Sequence, residues 1–212
     1  MKPKMIKNPL SHFIVFEGID GSGKTTQSRM LAETLQKMHC PVLWLREPSD
    51  SPWGEKIRDI SRTRNRIPVE EELNYFLEDR KWNVKYNIRP ALEQNRIVIL
   101  DRYYFSTACY QGARGLDIEN IISMNLVFAP EPDITFIIDV DVKTAMDRIR
   151  NNRDIRVKLF EKKSFLEKVR HNYLQLRGPS IHIIDGSSDT KMVFSRILTI
   201  LKKDSPGLFK CQ

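Results

Sequence analysis

Five short apolar runs, Phe13 to Glu17, Pro41 to Leu45, Ile97 to Asp101, Ile134 to Asp139 and Ile181 to Asp185, alternate with stretches of helical periodicity. A run that is apolar at nearly every position offers no face to water, so it fits a strand buried on both sides of a parallel sheet. Helical stripes fill the intervals: Leu31, Leu35 and Met38; Val142, Ala145, Met146 and Ile149; Leu166, Val169, Tyr173 and Leu176; Val193, Ile197, Ile200 and Leu201. A longer stretch from Glu70 to Leu92 places Leu73, Leu77, Val84, Ile88 and Leu92 on one face and predicts one helix. Parallel strands must be joined by crossovers, so the pattern predicts an α/β helix-sheet-helix sandwich around a five-stranded parallel sheet. Ligands in such sheets lie at the carboxyl ends of the strands.

With 212 residues, 41% of them apolar and 29% charged, the chain has the size and composition of one globular domain spanning 1–212. No apolar run is long enough to span a membrane, and the basic start is not followed by a secretory apolar core, so a cytoplasmic protein is expected. Cys40, Cys109 and Cys211 are odd in number and lack metal-ligand spacing, which predicts reduced thiols. The net charge of +8 suits an anionic partner. Much of it is concentrated between Arg148 and Lys163, where seven basic residues meet two acidic ones. One local patch fits phosphate handling better than a groove along a nucleic acid, so no nucleic-acid or membrane partner is expected.

Gly18-Ile19-Asp20-Gly21-Ser22-Gly23-Lys24-Thr25 fits G-x-x-x-x-G-K-[ST] directly after the first strand and before the first helix, the context the motif requires. Its glycines let backbone N–H groups converge on phosphate oxygens at a helix start. Lys24 is placed to bridge the outer phosphates of a nucleoside triphosphate, and Thr25 to ligate Mg²⁺. This predicts a P-loop NTPase fold that binds a nucleoside triphosphate through Gly18, Asp20, Gly21, Ser22, Gly23, Lys24, Thr25 and Thr26. Asp101 closes the third apolar run, where a second carboxylate on the metal side is expected.

Further signals follow in order: Arg46-Glu47-Pro48 after the second strand, Phe76 and Arg80 four apart on the long helix, Asp101-Arg102-Tyr103, then Ser106 and Tyr110-Gln111-Gly112. Together with Phe16 to Gln27 and Ile184-Asp185-Gly186 they make the chain resemble, over nearly its whole length, the thymidylate kinase family. The resemblance implies transfer of phosphate from MgATP to dTMP, in a homodimer. It assigns Asp20 to the 3′-hydroxyl of the deoxynucleotide, Phe76 to a stack on thymine and Arg80 to the carbonyl edge of the base. Arg46 and Arg102 match arginines that hold the acceptor phosphate. Tyr103 is expected beneath the deoxyribose, with Ser106, Tyr110 and Gln111 around base and sugar. An apolar helix carrying Ile118, Ile121, Ile122 and Leu126 is the expected dimer face.

The basic segment at about 148–163 resembles the lid that closes over ATP. Gly21 follows Asp20, so the P-loop holds no arginine and the sequence resembles the branch whose lid supplies it. Arg153 and then Arg156, in the polar stretch after the helix, are the expected catalytic arginines, with Lys24 and Arg102; Arg148 is expected nearer the adenine. Two departures from the family stand out: Leu159 replaces an arginine, and Ser49-Asp50-Ser51 replaces the usual Gly-Gly-Thr. The residues alone leave open a kinase for another deoxynucleotide or deoxynucleoside, and a catalytically weakened nucleotide-binding regulator.

Overall fold

Each of the five apolar runs forms a strand in the computed structural model, which describes residues 11–63, 67–151 and 159–209, without the side chains of 150, 151 and 159–162. The strands are β1 (Phe13–Glu17), β2 (Val42–Arg46), β3 (Ile97–Asp101), β4 (Ile134–Asp139) and β5 (Ile181–Asp185). They pair in the order β2-β3-β1-β4-β5, every pair parallel. The nine α-helices among the described residues are α1 (Lys24–Lys37), α2 (Pro52–Thr63), α3 (Val69–Asn83), α4 (Arg89–Glu93), α5 (Tyr104–Gly112), α6 (Ile118–Leu126), α7 (Val142–Asn151), α8 (Leu159–Gln175) and α9 (Thr190–Asp204).

Residues alternate along the central strands between two cores, one on each face of the sheet. Phe13, Val15, Val98, Leu100 and Ile137 pack beneath α5, α7 and α8. Ile14, Phe16, Ile99, Phe136 and Ile138 pack beneath α1 and α9. β1 and β3 are buried throughout, whereas β2 and β5, at the sheet edges, are only half covered. Full burial on both faces therefore holds for the centre of the sheet and not for its rims.

Local chemistry sets the helix ends. Asp117 and Asp189 cap α6 and α9 by accepting from backbone N–H groups of the first turn. Glu70, Glu71 and Glu72 open α3, while Arg80 and Lys81 close it, matching the helix dipole at both ends.

Three expectations need correction. The second strand runs one residue later than predicted, because Pro41 has no N–H for the ladder while Arg46 continues the register opposite Asp101. The predicted helix over Glu70 to Leu92 is interrupted by a π-helical turn, Val84–Ile88, just ahead of Pro90. Proline lacks the donor of an α-helical bond and crowds the carbonyl four residues earlier, which a widened turn relieves. Of the cysteines, Cys109 is free and buried, but Cys40 is disulfide-bonded. Linear spacing carries no information on which thiols the fold brings within reach.

Of the apolar residues of α6, Ile121 packs within the chain, while Ile118, Ile122 and Leu126 are left half-buried. Ile121 is buried against Leu73, Leu77 and Ala108 of the same chain, with Ile118 and Ile122 packed around it. No helix among the described residues is long and apolar enough to cross a membrane.

Removing side-chain volume at the sheet centre should cost far more than at its edge. Ile14→Ala, at a fully buried position, is expected to lower unfolding free energy by about 2–5 kcal/mol. Ile183→Ala, on exposed β5, should change it by about 0.5 kcal/mol or less in the same denaturant titration.

Candidate active site

The P-loop links β1 to α1 at the centre of the sheet. Gly21 has φ +83°, and a Cβ there would lie 2.2 Å from the Ala145 carbonyl oxygen, so both conformation and space call for glycine. The Lys24 ammonium donates to the Ile19 carbonyl at 3.2 Å and stands 3.9 Å from the Asp20 carboxylate. Burial lowers its pKa to about 8, and the Arg102 charge acts in the same direction, against Asp20 and Asp101. Thr25 donates its hydroxyl to Asp101 Oδ2 at 2.6 Å, while Asp101 Oδ1 is buried with no hydrogen-bond partner among the described residues. Arg148 donates to the Ser22 carbonyl at 3.1 Å and to the Gly186 carbonyl at 3.0 Å, tying α7 to the P-loop and to the turn after β5.

Beside the P-loop, the chain leaves β3 through a strained turn. Arg102 adopts φ +72°, a left-handed conformation that costs a non-glycine residue about 1 kcal/mol or more. Its guanidinium donates to Asp20 at 2.5 Å, to Ser106 at 2.9 Å and to the Gly18 carbonyl at 3.3 Å. It also lies over the Tyr110 ring, 5.3 Å from its centroid. The Tyr110 hydroxyl in turn accepts from the Asp20 amide, and burial pushes its pKa up to about 12. Arg46 ends β2 with its Nε 3.7 Å from Asp101. Thus Lys24, Asp20 and Arg102 form one chain of charge contacts, and Arg46 joins it through Asp101.

Asp20, Arg46 and Arg102 open onto a cavity of about 580 Å³, the size of a small-ligand pocket. Of the residues singled out in the sequence, Asp20, Arg46, Phe76, Arg102, Ser106, Tyr110 and Gln111 line it. Arg80 and Tyr103 do not. Arg80 is 1% exposed, its guanidinium engaged by Glu47 at 2.6 Å, Asn125 at 2.8 Å and Thr107 at 3.1 Å. Tyr103 is fully buried in the core, edge-on to Phe13, and donates to the Pro130 carbonyl. Arg153 and Arg156 lie outside the described residues.

Several contributors went unnoticed in the sequence. Thr107 and Phe165 line the cavity, and Glu72 with Arg114 forms an ion pair at its rim. Glu47, at the cis Glu47–Pro48 bond, is buried against Arg80, and burial raises its pKa to about 7 against the pull of that arginine. Next to Arg80, buried Asp79 accepts from the Ser49 amide at 2.9 Å, the Ser49 hydroxyl at 2.5 Å and the Ser51 hydroxyl at 2.6 Å. This accounts for the departure at Ser49-Asp50-Ser51: hydroxyls at both serines satisfy a carboxylate that would otherwise be buried with fewer donors. A buried acid on a polar-looking helix face gives no sequence signal.

A P-loop at the switch point of a parallel sheet, with a second set of arginines beside it, defines a P-loop nucleotide kinase. Residues 16–197 match the thymidylate kinase family. The chain is 40% identical over 199 residues to the thymidylate kinase of Desulfotalea psychrophila, covering 94% of this chain and 98% of that protein. It is 41% identical over 207 residues to a probable thymidylate kinase of Pyrococcus horikoshii, covering 93% and 98%. The crystal structure of thymidylate kinase from Ehrlichia chaffeensis superposes with a TM-score of 0.74 at 32% identity, over 90% of this chain and 98% of that one. The chain belongs to the thymidylate kinase family.

The lowered pKa of Lys24 has a measurable consequence. At pH 9 the free protein holds this lysine mostly neutral, and a bound triphosphate favours the charged form. ATP binding at pH 9 should therefore take up on the order of one proton, read by calorimetry in buffers of different ionisation enthalpy. Uptake should vanish below pH 7, where Lys24 is already charged, and should be lost at pH 9 in Lys24→Met.

Proposed function

We propose that this protein transfers the γ-phosphoryl group of ATP to dTMP, giving dTDP and ADP. The observation that carries the reading is the contact chain from Lys24 through Asp20 to Arg102, which sets a donor-phosphate loop directly beside an acceptor-phosphate arginine. A monophosphate carries about −1.5 to −2 charges at pH 7, so its oxygen is already a nucleophile and needs no general base. That oxygen forms the new bond to the γ-phosphorus as the bond to the β,γ-bridging oxygen breaks, and ADP leaves with the electron pair. Catalysis then rests on alignment and on meeting the charge of the transferring group. Lys24 holds the donor phosphates, and Arg46 and Arg102 hold and aim the acceptor phosphate through forked hydrogen bonds.

Asp20 is exposed enough to accept from a 3′-hydroxyl at the cavity mouth, and Tyr110 is the aromatic ring beside it. The sugar-facing role expected of Tyr103 therefore falls to Tyr110. Phe76 offers the base a stacking face, with Thr107 and Gln111 supplying polar atoms on the lining. Mg²⁺ fits the unpartnered Asp101 Oδ1 and the neighbouring Thr25 hydroxyl, which would hold it; the ion, when bound, neutralises phosphate charge. Arg148 binds near the nucleotide of the donor, and the segment around 148–163 closes over it as a lid of the one domain. Homodimer formation in the cytoplasm belongs to the same reading.

Coupled measurement of ADP release with dTMP, dUMP, dGMP and thymidine tests the reaction; dTMP should give the highest kcat/KM. A higher value for another acceptor would reassign the substrate, and ATP binding without dTDP formation would favour a regulator. Phe76→Ala should raise KM for dTMP about ten-fold or more, since base stacking is worth about 1–3 kcal/mol, and leave KM for ATP unchanged. A parallel rise in both constants would make Phe76 a packing residue.

The charge of the transferring group also needs an arginine that the P-loop lacks. Single alanine replacements of Arg153 and Arg156 should show a kcat drop of about 10³-fold at one of the two, with Arg153 first, at saturating ATP and dTMP. Near-normal kcat in both would remove this segment from catalysis.

A further inference from the structure

Behind Arg102 lies a buried network that phosphoryl transfer does not itself require. Glu17, fully buried at the end of β1, accepts from the Tyr103 and Ser106 amides at 2.8 and 3.0 Å through Oε1. Its Oε2 accepts from the Ser106 hydroxyl at 2.5 Å and from the Tyr173 hydroxyl of α8 at 3.0 Å. Tyr173 is 1% exposed and also lies within 2.9 Å of the Ser106 oxygen, the same oxygen that accepts from Arg102.

Two features make this network more than packing. The first is where it acts: α5 has no cap from its own first residue, and the Glu17 carboxylate, arriving from another strand, satisfies its leading N–H groups. Those N–H groups follow directly on the left-handed turn at Arg102, whose own amide is held by the Phe16 carbonyl at 2.9 Å. The second is reach. The network ties α8, which lends Phe165 to the cavity wall, to the guanidinium that meets the acceptor phosphate. Burial pushes the Glu17 carboxyl up, while the Ser106 hydrogen bond and then the Arg102 charge oppose that shift. A buried carboxylate with four donors is satisfied, and removing one donor leaves it short.

We infer that Tyr173 and Glu17 are positioning residues for acceptor-phosphate recognition, fixing Arg102 through Ser106 so that the protein distinguishes dTMP from thymidine. The inference rests on Arg102 being the phosphate ligand proposed above, and the test separates the two. Dissociation constants for dTMP, thymidine and ATP are measured by calorimetry on the full chain, at a temperature well below each variant's thermal midpoint. Tyr173→Phe removes one hydroxyl and keeps the ring. It should weaken dTMP about ten-fold and leave thymidine and ATP within about two-fold, because the phosphate is the part of dTMP that Arg102 touches directly, whereas Asp20 and Tyr110 keep their own places at the sugar.

Glu17→Gln keeps the shape and the acceptor for the two amides but loses the charge facing Arg102, and should show the same selective loss. It keeps the question decidable if Tyr173→Phe does not yield folded protein. Arg102→Ala is the control and should abolish most of the preference for dTMP over thymidine. If Arg102→Ala removes that preference while both network variants keep it, the network proposal is overturned and the phosphate role stands. Equal weakening of dTMP and thymidine in the network variants would make the residues merely structural and overturn it as well. An unchanged preference in Arg102→Ala overturns the phosphate role together with the inference built on it.

Discussion

Charge at the carboxyl ends of a buried parallel sheet has to be paired on site, and most of the architecture around the cavity follows from that requirement. The central strands end in Glu17 and Asp101, both fully buried. Neither can be left to water, and an unpaired buried carboxylate is among the most costly groups a protein can hold. Glu17 is answered by the start of α5 and by Tyr173 of α8. Asp101 is answered on one oxygen by Thr25, and its other oxygen is buried without a hydrogen-bond partner among the described residues. The turn that lets α5 reach Glu17 is the same turn that forces Arg102 into a left-handed conformation and points it across the P-loop at Asp20.

The same logic builds the far wall. Asp79 and Arg80 are adjacent on α3, and both are buried. Asp79 gathers the serines of the loop after Pro48, while Arg80 holds Glu47. Two consecutive helix residues thereby fix the stretch that begins with Arg46, so the acceptor side of the cavity is tied to the helix that carries Phe76. Buried pairs of this kind add little net stability but strongly penalise any arrangement in which a partner is missing. Their contribution is geometric: they make one placement of the loop much better than its neighbours.

Much of this was legible in the chain. The five apolar runs name the strands to within a residue, because burial on both faces leaves no polar alternative, and the P-loop names the nucleotide site because its glycines answer a steric demand visible in the motif itself. Asp20, Arg46, Phe76, Arg102, Ser106, Tyr110 and Gln111 were all recognisable and all reach the cavity. The exceptions are instructive. Tyr103 and Arg80 carry the right chemistry beside the right neighbours, yet Tyr103 packs into the core and the Arg80 guanidinium is engaged by Glu47, Asn125 and Thr107. Glu17 and Asp79 were passed over, since a carboxylate in a motif or on a charged helix reads as solvated until its surroundings are known.

What the sequence determined by itself is therefore the order of the elements, the position of the phosphate loop and the membership of a family, because these depend on local periodicity and on residues close together in the chain. Tertiary structure alone decided which side chains face the cavity and which are buried behind it. Glu17 meets Tyr173, and Asp79 meets Ser49, across separations of 156 and 30 residues. Such pairings are fixed by the packing of α8 over the sheet core and of α3 against α2, α5 and α6, and burial then converts a chance of proximity into a requirement for a partner. Spacing along the chain carries no trace of either.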